Sequence, residues 1–237
     1  MLARLRAVLA LGAYLLVLVV HVVAQVVDHE PTADVTQWLL APVLALLVLV
    51  APTPAGLTDR ARGLRRWVLA GLGFSWLGDL LPHLVPDDDT AFVVLIGCFA
   101  LAQASYAVGF RPFRRDGLLG TNWVFAYVAA ATALVLVTAP GAGAMLAPVV
   151  GYAVLITTMA VLATGVHRLT GLGAALFLAS DALIALEAFV AGWHLPGQSV
   201  WVMTTYGLAH LLIVLGVLAR SAADGRDARV AGAGAIA

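Results

Sequence analysis

The stretch Leu5–Val27 reads LRAVLALGAYLLVLVVHVVAQVV, 23 residues with a single charge. A helix needs about 20 consecutive apolar residues to cross the hydrocarbon core of a bilayer. The stretch is also longer than the apolar segment of a secretory signal peptide, which is about 7–15 residues. We therefore interpret it as a first transmembrane helix that remains in the mature protein.

Composition extends this interpretation to the whole chain. Of its 237 residues, 62% are apolar and 11% are charged, and the mean hydropathy is +1.01. A soluble domain carries about 25% charged residues, so the composition excludes an ordinary soluble protein. Seven further apolar runs follow the first, at 38–55, 67–84, 91–110, 119–138, 144–166, 170–191 and 199–219.

These runs predict an all-α fold, a polytopic membrane bundle of about eight transmembrane helices. We expect residues 1–220 to form a single eight-helix transmembrane domain. Residues 221–237 are rich in Ala and Gly, and we expect a short cytoplasmic, disordered tail there.

The basic residues divide the connections into two groups. All thirteen are arginines and fall before helix 1, after helix 8 or in the even-to-odd connections: Arg4, Arg6, Arg60, Arg62, Arg65, Arg66, Arg111, Arg114, Arg115, Arg168, Arg220, Arg226 and Arg229. Cytoplasmic loops of membrane proteins carry the excess of Lys and Arg. We therefore expect both termini in the cytoplasm of a multi-pass protein, and the arginine-rich composition favours the bacterial inner membrane.

Charge and cysteine content exclude other classes. The net charge is zero and no segment is basic enough to bind nucleic acid. Cys98 is the only cysteine, so an intrachain disulfide is excluded. The oligomeric state stays open.

A short internal similarity relates helices 3 and 7. The segments Gly71–Leu81 and Gly171–Leu183 share a Gly-x-Gly start and a later Asp-x-Leu element, about 100 residues apart. Four helices of separation give both segments the same direction across the membrane. The pattern is consistent with two parallel four-helix halves.

Three acids lie inside predicted membrane helices: Asp79, Asp181 and Glu187. A carboxylate at mid-bilayer costs at least about 2.5 kcal/mol, so such groups normally face the bundle interior and mark functional sites. A rise of about 1.5 Å per residue places Asp79, Asp181, Gln103 and His210 near one common depth. A single membrane aspartate can also be structural, bonded to a neighbouring helix. Glu187 is equally consistent with an interfacial position.

Helical spacing adds candidate neighbours to these groups. Ser75 and His83 lie four residues before and after Asp79, so we expect all three on one helix face. Tyr206 precedes His210 by four residues. Tyr106 follows Gln103 by three.

Four motifs resemble those of a known family. They are Phe74-Ser-Trp-Leu-Gly-Asp79-Leu-Leu-Pro, Ala102-Gln-Ala-Ser-Tyr106, Leu176-Phe-Leu-Ala-Ser-Asp181-Ala-Leu-Ile-Ala and Val202-Met-Thr-Thr-Tyr206-Gly-Leu-Ala-His210-Leu-Leu-Ile. Their order and spacing resemble the YhhN-like lysoplasmalogenase family over nearly the whole chain. Gln103 is a departure, because that family often carries histidine there. We considered that His210 takes over this polar role.

The resemblance implies an integral-membrane ether hydrolase. Its relatives cleave the vinyl ether of lysoplasmalogen, giving a fatty aldehyde and glycerophosphoethanolamine or glycerophosphocholine. The implied partners are a lysophospholipid substrate and membrane lipid. Headgroup and chain preference stay open.

Such a reaction needs a general acid that protonates the vinyl ether's β-carbon, followed by capture of the cation by water. A carboxyl group in apolar surroundings retains its proton nearer neutrality, and two carboxyls divide comparable roles in glycosidases. By analogy, Asp79 and Asp181 are the candidate catalytic pair, and which one is the acid stays open. The candidates for orienting water or binding substrate are Ser75, His83, Gln103, Tyr106, Ser180, Tyr206 and His210.

Three alternatives remain at this level. A metal site would draw on Asp79, His83, Asp181 and His210, but no compact ligand motif is present, so no cofactor is expected. A proton-coupled transporter would also use paired membrane aspartates and internal repeats. In a non-catalytic lipid-binding protein the aspartates would only join helices.

Overall fold

The computed structural model describes residues 1–54 and 56–234, with side chains up to residue 228. The regular structure in this part is helical and contains no strand. This confirms the predicted all-α membrane bundle. The helices are α1 (Leu2–Val26), α2 (Glu30–Val50), α3 (Asp59–Leu80), α4 (Asp88–Phe110), α5 (Trp123–Ala142), α6 (Leu146–Ala163), α7 (Arg168–Phe189) and α8 (Gln198–Gly234).

The predicted number of eight spans needs a correction. Counted as uninterrupted helical stretches, the described residues contain seven, because α5 and α6 join directly through the 3-10 helix Gly143–Met145. Gly143 has a φ of +48°, which turns the chain without a loop. The two helices pack against each other, so this stretch folds back on itself.

Six of the seven stretches are long and apolar enough to cross a membrane. The remaining one contains α3, whose first turns carry Asp59 and four arginines before the apolar part begins. The sequence pattern placed the start of this helix at residue 67. The structure shows that its charged first two turns are helical too.

Helix α8 is central to the bundle and packs against α7, α3, α1 and α2. Glycines permit the close approach of α7 and α8. A Cβ at Gly173 would lie 2.6 Å from the carbonyl oxygen of Ala209, and one at Gly216 would lie 2.6 Å from the amide nitrogen of Thr170. Small residues at helix interfaces let backbones approach in this way. Helix α5 lies at the edge and packs on α6 and α7.

The arginine-bearing connections meet at one end of the bundle. Asp116, after α4, accepts a hydrogen bond of 2.8 Å from Arg220 of α8 and lies 3.5 Å from Arg60 of α3. Both guanidinium groups also lie over the buried ring of Phe113, at 3.9 and 4.7 Å from its centroid. This arrangement agrees with the grouping of arginines on one side.

The last helix continues to Gly234, where the sequence pattern predicts an irregular tail from residue 221. Arg220 bonds Asp224 one turn later, and the Ser221 hydroxyl donates to the Val217 carbonyl. Both bonds join residues one turn apart within the helical continuation of α8. Residues 235–237 of the expected tail lie outside the described part.

Candidate functional site

Asp79 is the centre of a first polar cluster. It lies one residue before the end of α3 and is 4% exposed. Its Oδ2 accepts a hydrogen bond of 2.6 Å from the Tyr206 hydroxyl of α8, and its Oδ1 accepts one of 3.2 Å from the Gln37 amide of α2. Three helices therefore converge on one carboxylate, and both of its oxygens have a donor.

His210 extends this cluster toward the arginine-bearing end. Its Nε2 lies 3.2 Å from the Ser75 hydroxyl, and its Nδ1 lies 3.2 Å from the Tyr206 carbonyl oxygen. Tyr106 packs edge-on against the imidazole, with ring centroids 6.2 Å apart. The structure thus brings together five candidate residues from three helices, whose contact the sequence had left open: Asp79, Ser75, Tyr106, Tyr206 and His210.

Asp181 lies in a second cluster. Its Oδ2 accepts a short hydrogen bond from the Tyr152 hydroxyl of α6. The Gln103 amide of α4 donates to the same hydroxyl at 3.5 Å. Gln103 is fully buried, and its Oε1 has no hydrogen-bond partner among the described residues. His210 belongs to the other cluster, so it does not stand in for Gln103 beside Asp181.

Asp181 also borders an apolar cavity of about 80 Å³ between α4, α5, α6 and α7. The cavity extends from Asp181 and Tyr152 toward the end opposite the arginines, where Phe92 and Phe189 meet edge-on with centroids 5.7 Å apart. Its walls are mostly aliphatic, and Thr138 and Thr157 are its other polar residues. Such a lining suits a hydrocarbon chain.

Three aromatic rings connect the two clusters. Phe99, Phe177 and Tyr206 contact one another with centroid separations of 5.6–6.1 Å. Tyr206 donates to Asp79, whereas Phe99 lines the cavity that Asp181 borders. Each carboxyl therefore has its own hydrogen-bond donors, and aromatic faces lie beside both.

Other predicted site residues have different surroundings. His83 lies in a 3-10 helix after α3, beside Asp34 and Trp38 instead of the Asp79 carboxylate. The Ser180 hydroxyl donates to the Val202 carbonyl at 3.1 Å, which ties α7 to α8. Glu187 accepts a hydrogen bond of 2.6 Å from Gln198 at the start of α8.

The two aspartates occupy different positions along their helices. Asp79 is separated from the end of α3 by Leu80 alone, whereas α7 continues for eight residues after Asp181. The expectation of equal depth was counted from Trp67, the predicted start of a helix 3 that was expected to run to residue 84. The segment Leu81–Leu84 is instead a 3-10 helix that contains Pro82. Asp79 is therefore one short turn from the connection to α4.

The candidate metal ligands do not assemble. Within the described residues, no three His, Cys, Asp or Glu side chains are grouped closely enough to hold a metal ion. His83 lies with Asp34, His210 with Ser75, and Asp181 with Tyr152.

Two residues that donate hydrogen bonds to the aspartates were not predicted from the sequence. Gln37 and Tyr152 donate to Asp79 and Asp181 respectively, yet neither belongs to the quoted motifs. Both are polar groups within apolar helices, which is the signal that would have identified them. Helix α6 carries no acid, and the acid three residues before Gln37, Asp34, is not its partner, so spacing within a helix did not identify either bond.

Comparisons with known proteins agree with the motif resemblance. The model of the YhhN family matches residues 32–217, which include every member of both clusters. A lysoplasmalogenase of Mycobacterium bovis is 29% identical over 217 residues, covering 88% of this chain and 79% of that protein. A lysoplasmalogenase of Rattus norvegicus is 30% identical over 193 residues, covering 78% and 76%. No solved structure matches this chain.

Proposed function

This chain belongs to the YhhN family, and we propose that it hydrolyses the vinyl ether of a lysoplasmalogen within the bilayer. The products are a fatty aldehyde and a glycerophospho-headgroup. The relatives named lysoplasmalogenase support the substrate class. The observation that carries the proposal is a carboxyl group, Asp181, at the end of an apolar cavity, with a second buried carboxyl, Asp79, in the adjacent cluster.

Asp181 is the proposed general acid. In this proposal the apolar cavity that Asp181 borders receives the start of the aliphatic chain, which places the β-carbon of the vinyl ether beside the carboxyl group. Apolar surroundings disfavour the charged form of an acid and make it an effective proton donor. In this step the C=C π electrons form a new C–H bond at the β-carbon, and Asp181 becomes a carboxylate.

Tyr152 positions this acid and stabilises its conjugate base. Its hydroxyl already donates to Asp181 Oδ2. Hydrogen bonds to a charged acceptor are about twice as strong as neutral ones, so this contact strengthens when Asp181 loses its proton. Tyr152 therefore favours the state that follows proton transfer.

Asp79 and the three aromatic rings suit the cation that protonation creates. The oxocarbenium ion carries positive charge on the α-carbon and the ether oxygen. A carboxylate and the faces of Phe99, Phe177 and Tyr206 all attract such a charge. Asp79 keeps its orientation through Tyr206 and Gln37.

Water then completes the reaction. Gln103 Oε1 and the Tyr106 hydroxyl are buried with no hydrogen-bond partner in the part of the chain that the structure describes. They lie one turn apart on α4, so both are suited to orient water. Attack at the α-carbon forms a hemiacetal, and the released proton returns to Asp181. The hemiacetal hydroxyl then loses its proton as the bond between the α-carbon and the ether oxygen breaks, and the ether oxygen takes up a proton, which gives the aldehyde and an alcohol. One water is consumed and the acid is restored.

The test uses purified full-length protein in lipid nanodiscs. It is incubated with an alkenyl lysophospholipid and, separately, with the matching ester lysophospholipid, and released aldehyde and fatty acid are quantified. We expect aldehyde from the alkenyl lipid, little fatty acid from the ester, and loss of aldehyde in Asp79→Asn and Asp181→Asn. Asp88→Asn, at the exposed start of α4, is the matched control.

Absence of aldehyde from folded wild-type protein would overturn the proposal. In that case, proton-coupled uptake measured in proteoliposomes would test the transporter hypothesis, which predicts flux without product. Retained activity in both aspartate variants would leave the hydrolase in place and contradict the carboxyl mechanism.

A further inference from the structure

Three side chains meet at the end of the bundle opposite the arginines. Asp34 and Trp38 lie one turn apart in the first half of α2, and His83 lies in the 3-10 helix after α3. His83 Nε2 is 3.7 Å from Asp34 Oδ1, and the imidazole packs edge-on against the Trp38 indole at 5.6 Å. The Asp34 and His83 side chains are 45% and 38% exposed, so the group is accessible from outside.

Trp38 has an unused donor. Its indole Nε1 is buried and has no hydrogen-bond partner among the described residues. Buried polar groups normally have a partner, so an orphaned donor next to an accessible group is consistent with a ligand acceptor. A phosphate oxygen would be such an acceptor.

The group lies directly above the Asp79 cluster. Gln37, which donates to Asp79, is three residues after Asp34 and adjacent to Trp38, and His83 follows Asp79 by four residues. A rise of about 1.5 Å per residue separates Asp34 from Gln37 by roughly 4.5 Å along α2. The Gln37 side chain therefore links this part of α2 to Asp79.

We propose that Asp34, Trp38 and His83 form the subsite for the ammonium group of the substrate headgroup. Tryptophan is the best aromatic partner for a cation, and quaternary ammonium groups bind in aromatic cages. The Asp34 carboxylate supplies the opposite charge, and Trp38 Nε1 donates to the headgroup phosphate. This inference rests on the proposed lysoplasmalogen substrate and specifies which headgroup class the site selects.

The substrate's spacer allows the headgroup to lie away from the vinyl ether. The glycerophospho spacer between a vinyl ether and the headgroup nitrogen contains about ten bonds and reaches roughly 12 Å when extended. With the reacting atoms between Asp181 and Asp79 and the chain in the cavity, the spacer leads past Asp79 toward Asp34. The hydrocarbon chain and the ammonium group then both point toward the end opposite the arginines, and the substrate bends at the reacting atoms between them.

The charged residues around this group also favour a positively charged headgroup. The arginine-free end carries the acidic residues Asp28, Glu30, Asp34, Asp87, Asp88, Asp89 and Glu187. A surface of one sign raises the local concentration of ligands of opposite charge. An amine-bearing headgroup is therefore favoured over an anionic one.

The experiment compares substrates that have different headgroups and the same hydrocarbon chain. Alkenyl lysophospholipids with an ethanolamine, a choline or an uncharged glycerol headgroup are given to wild type, Asp34→Asn, Trp38→Leu and Trp38→Phe in nanodiscs. We expect Asp34→Asn to raise KM about tenfold for the two amine substrates, with kcat unchanged and the glycerol substrate unaffected. Trp38→Leu should raise KM for all three substrates, because it removes the phosphate donor, and should raise it more for the two amine substrates. Trp38→Phe should restore part of the selectivity. Asp88→Asn is the control carboxylate of the same end.

Equilibrium binding separates this inference from the proposed reaction. A non-hydrolysable alkyl-ether lysophosphoethanolamine and its glycerol counterpart are titrated onto the same variants. A selective loss of amine-analogue affinity in Asp34→Asn supports the subsite even without turnover. Equal effects on both analogues, or no effect in either variant, would overturn it. If the wild-type protein releases no aldehyde but still binds the amine analogue selectively, the proposed hydrolysis is contradicted and the proposed subsite is not.

Discussion

The hydroxyl of Tyr206 on α8 donates a 2.6 Å hydrogen bond to Asp79 on α3, across 127 residues of sequence. This bond joins the two halves of the chain at a buried carboxylate. It also fixes the Tyr206 ring against Phe99 and Phe177, beside the second aspartate's cavity.

Replacing Tyr206 by phenylalanine tests this bond. The substitution keeps the ring and removes one donor from a buried carboxylate, which costs about 1–3 kcal/mol. We expect a lower melting temperature and a fall in kcat of about a hundredfold, because Asp79 loses its orientation. Thermal unfolding and aldehyde release measure the two effects.

Tyr14→Phe is the matched control. The Tyr14 hydroxyl is equally buried and donates at 2.8 Å to the Gly207 carbonyl oxygen. Its loss should reduce stability by about 0.5–1.5 kcal/mol and leave kcat near the wild-type value. Equal losses of activity in both variants would mean that Tyr206 acts through stability alone.

Tyr152→Phe tests the positioning of Asp181. The variant keeps the cavity wall and removes the hydrogen bond to the carboxylate. We expect kcat to fall about tenfold to a hundredfold with KM within twofold, because chain binding is preserved and proton donation is not. Tyr127→Phe, at the edge of the core on α5, should change neither constant. A rise in KM alone would assign Tyr152 to substrate binding.

Gly71→Ala tests the packing that places Tyr106. A Cβ at Gly71 would lie 2.6 Å from Tyr106 Cζ, so the ring or helix α4 must move. Overpacking of this kind costs about 1–3 kcal/mol. Gly73→Ala, on the same helix with nothing within 4 Å of its Cβ, should be neutral or slightly stabilising. Melting temperatures in one detergent provide the comparison, and equal shifts would contradict this account of the interface.

The start of α4 should depend on pH. Asp87 caps this helix, and hydrogen bonds from the Thr90 hydroxyl and amide hold the pKa of the Asp87 carboxyl below its ordinary value of 3.8. A lowered folded-state pKa means that the cap's contribution is complete above the ordinary value. It is lost as pH falls through the lower folded value.

Hydrogen exchange at the Thr90 and Ala91 amides, corrected for intrinsic rates, measures this effect between pH 6 and pH 3. We expect protection to fall at the acid end in wild type. Asp87→Asn should cap the helix without that dependence, because asparagine is an equally good cap and does not titrate in this range. A pH-dependent loss in the asparagine variant would assign the change to another group.

The extent of sequence-based prediction differs between the fold and the site. Apolar runs such as Leu5–Val27 predicted helices because hydropathy and length are properties of a single segment. The arginines predicted which connections share an end, and Arg60 and Arg220 indeed meet at Asp116. The boundary between α5 and α6 was harder to predict from the sequence, because a glycine turn joins these helices without a polar loop.

Spacing predicted that Ser75 shares a helix face with Asp79 and that Tyr206 lies one turn from His210, and the structure joins these two pairs into one group. His83 was expected on the same face, but Pro82 and the change to 3-10 geometry turn it toward Asp34. A four-residue spacing predicts a shared face only while the α-helix continues.

The amino-acid sequence by itself determined that this protein is a helical membrane bundle with isolated acids among apolar residues. These properties are local, since the transfer cost of each side chain and the length of each run need no neighbouring helix. Only the tertiary structure decided that Gln37 and Tyr206 donate to Asp79, that Tyr152 donates to Asp181, and that an apolar cavity borders Asp181. Those pairings depend on the rotation and packing of helices distant in sequence, which no single segment specifies.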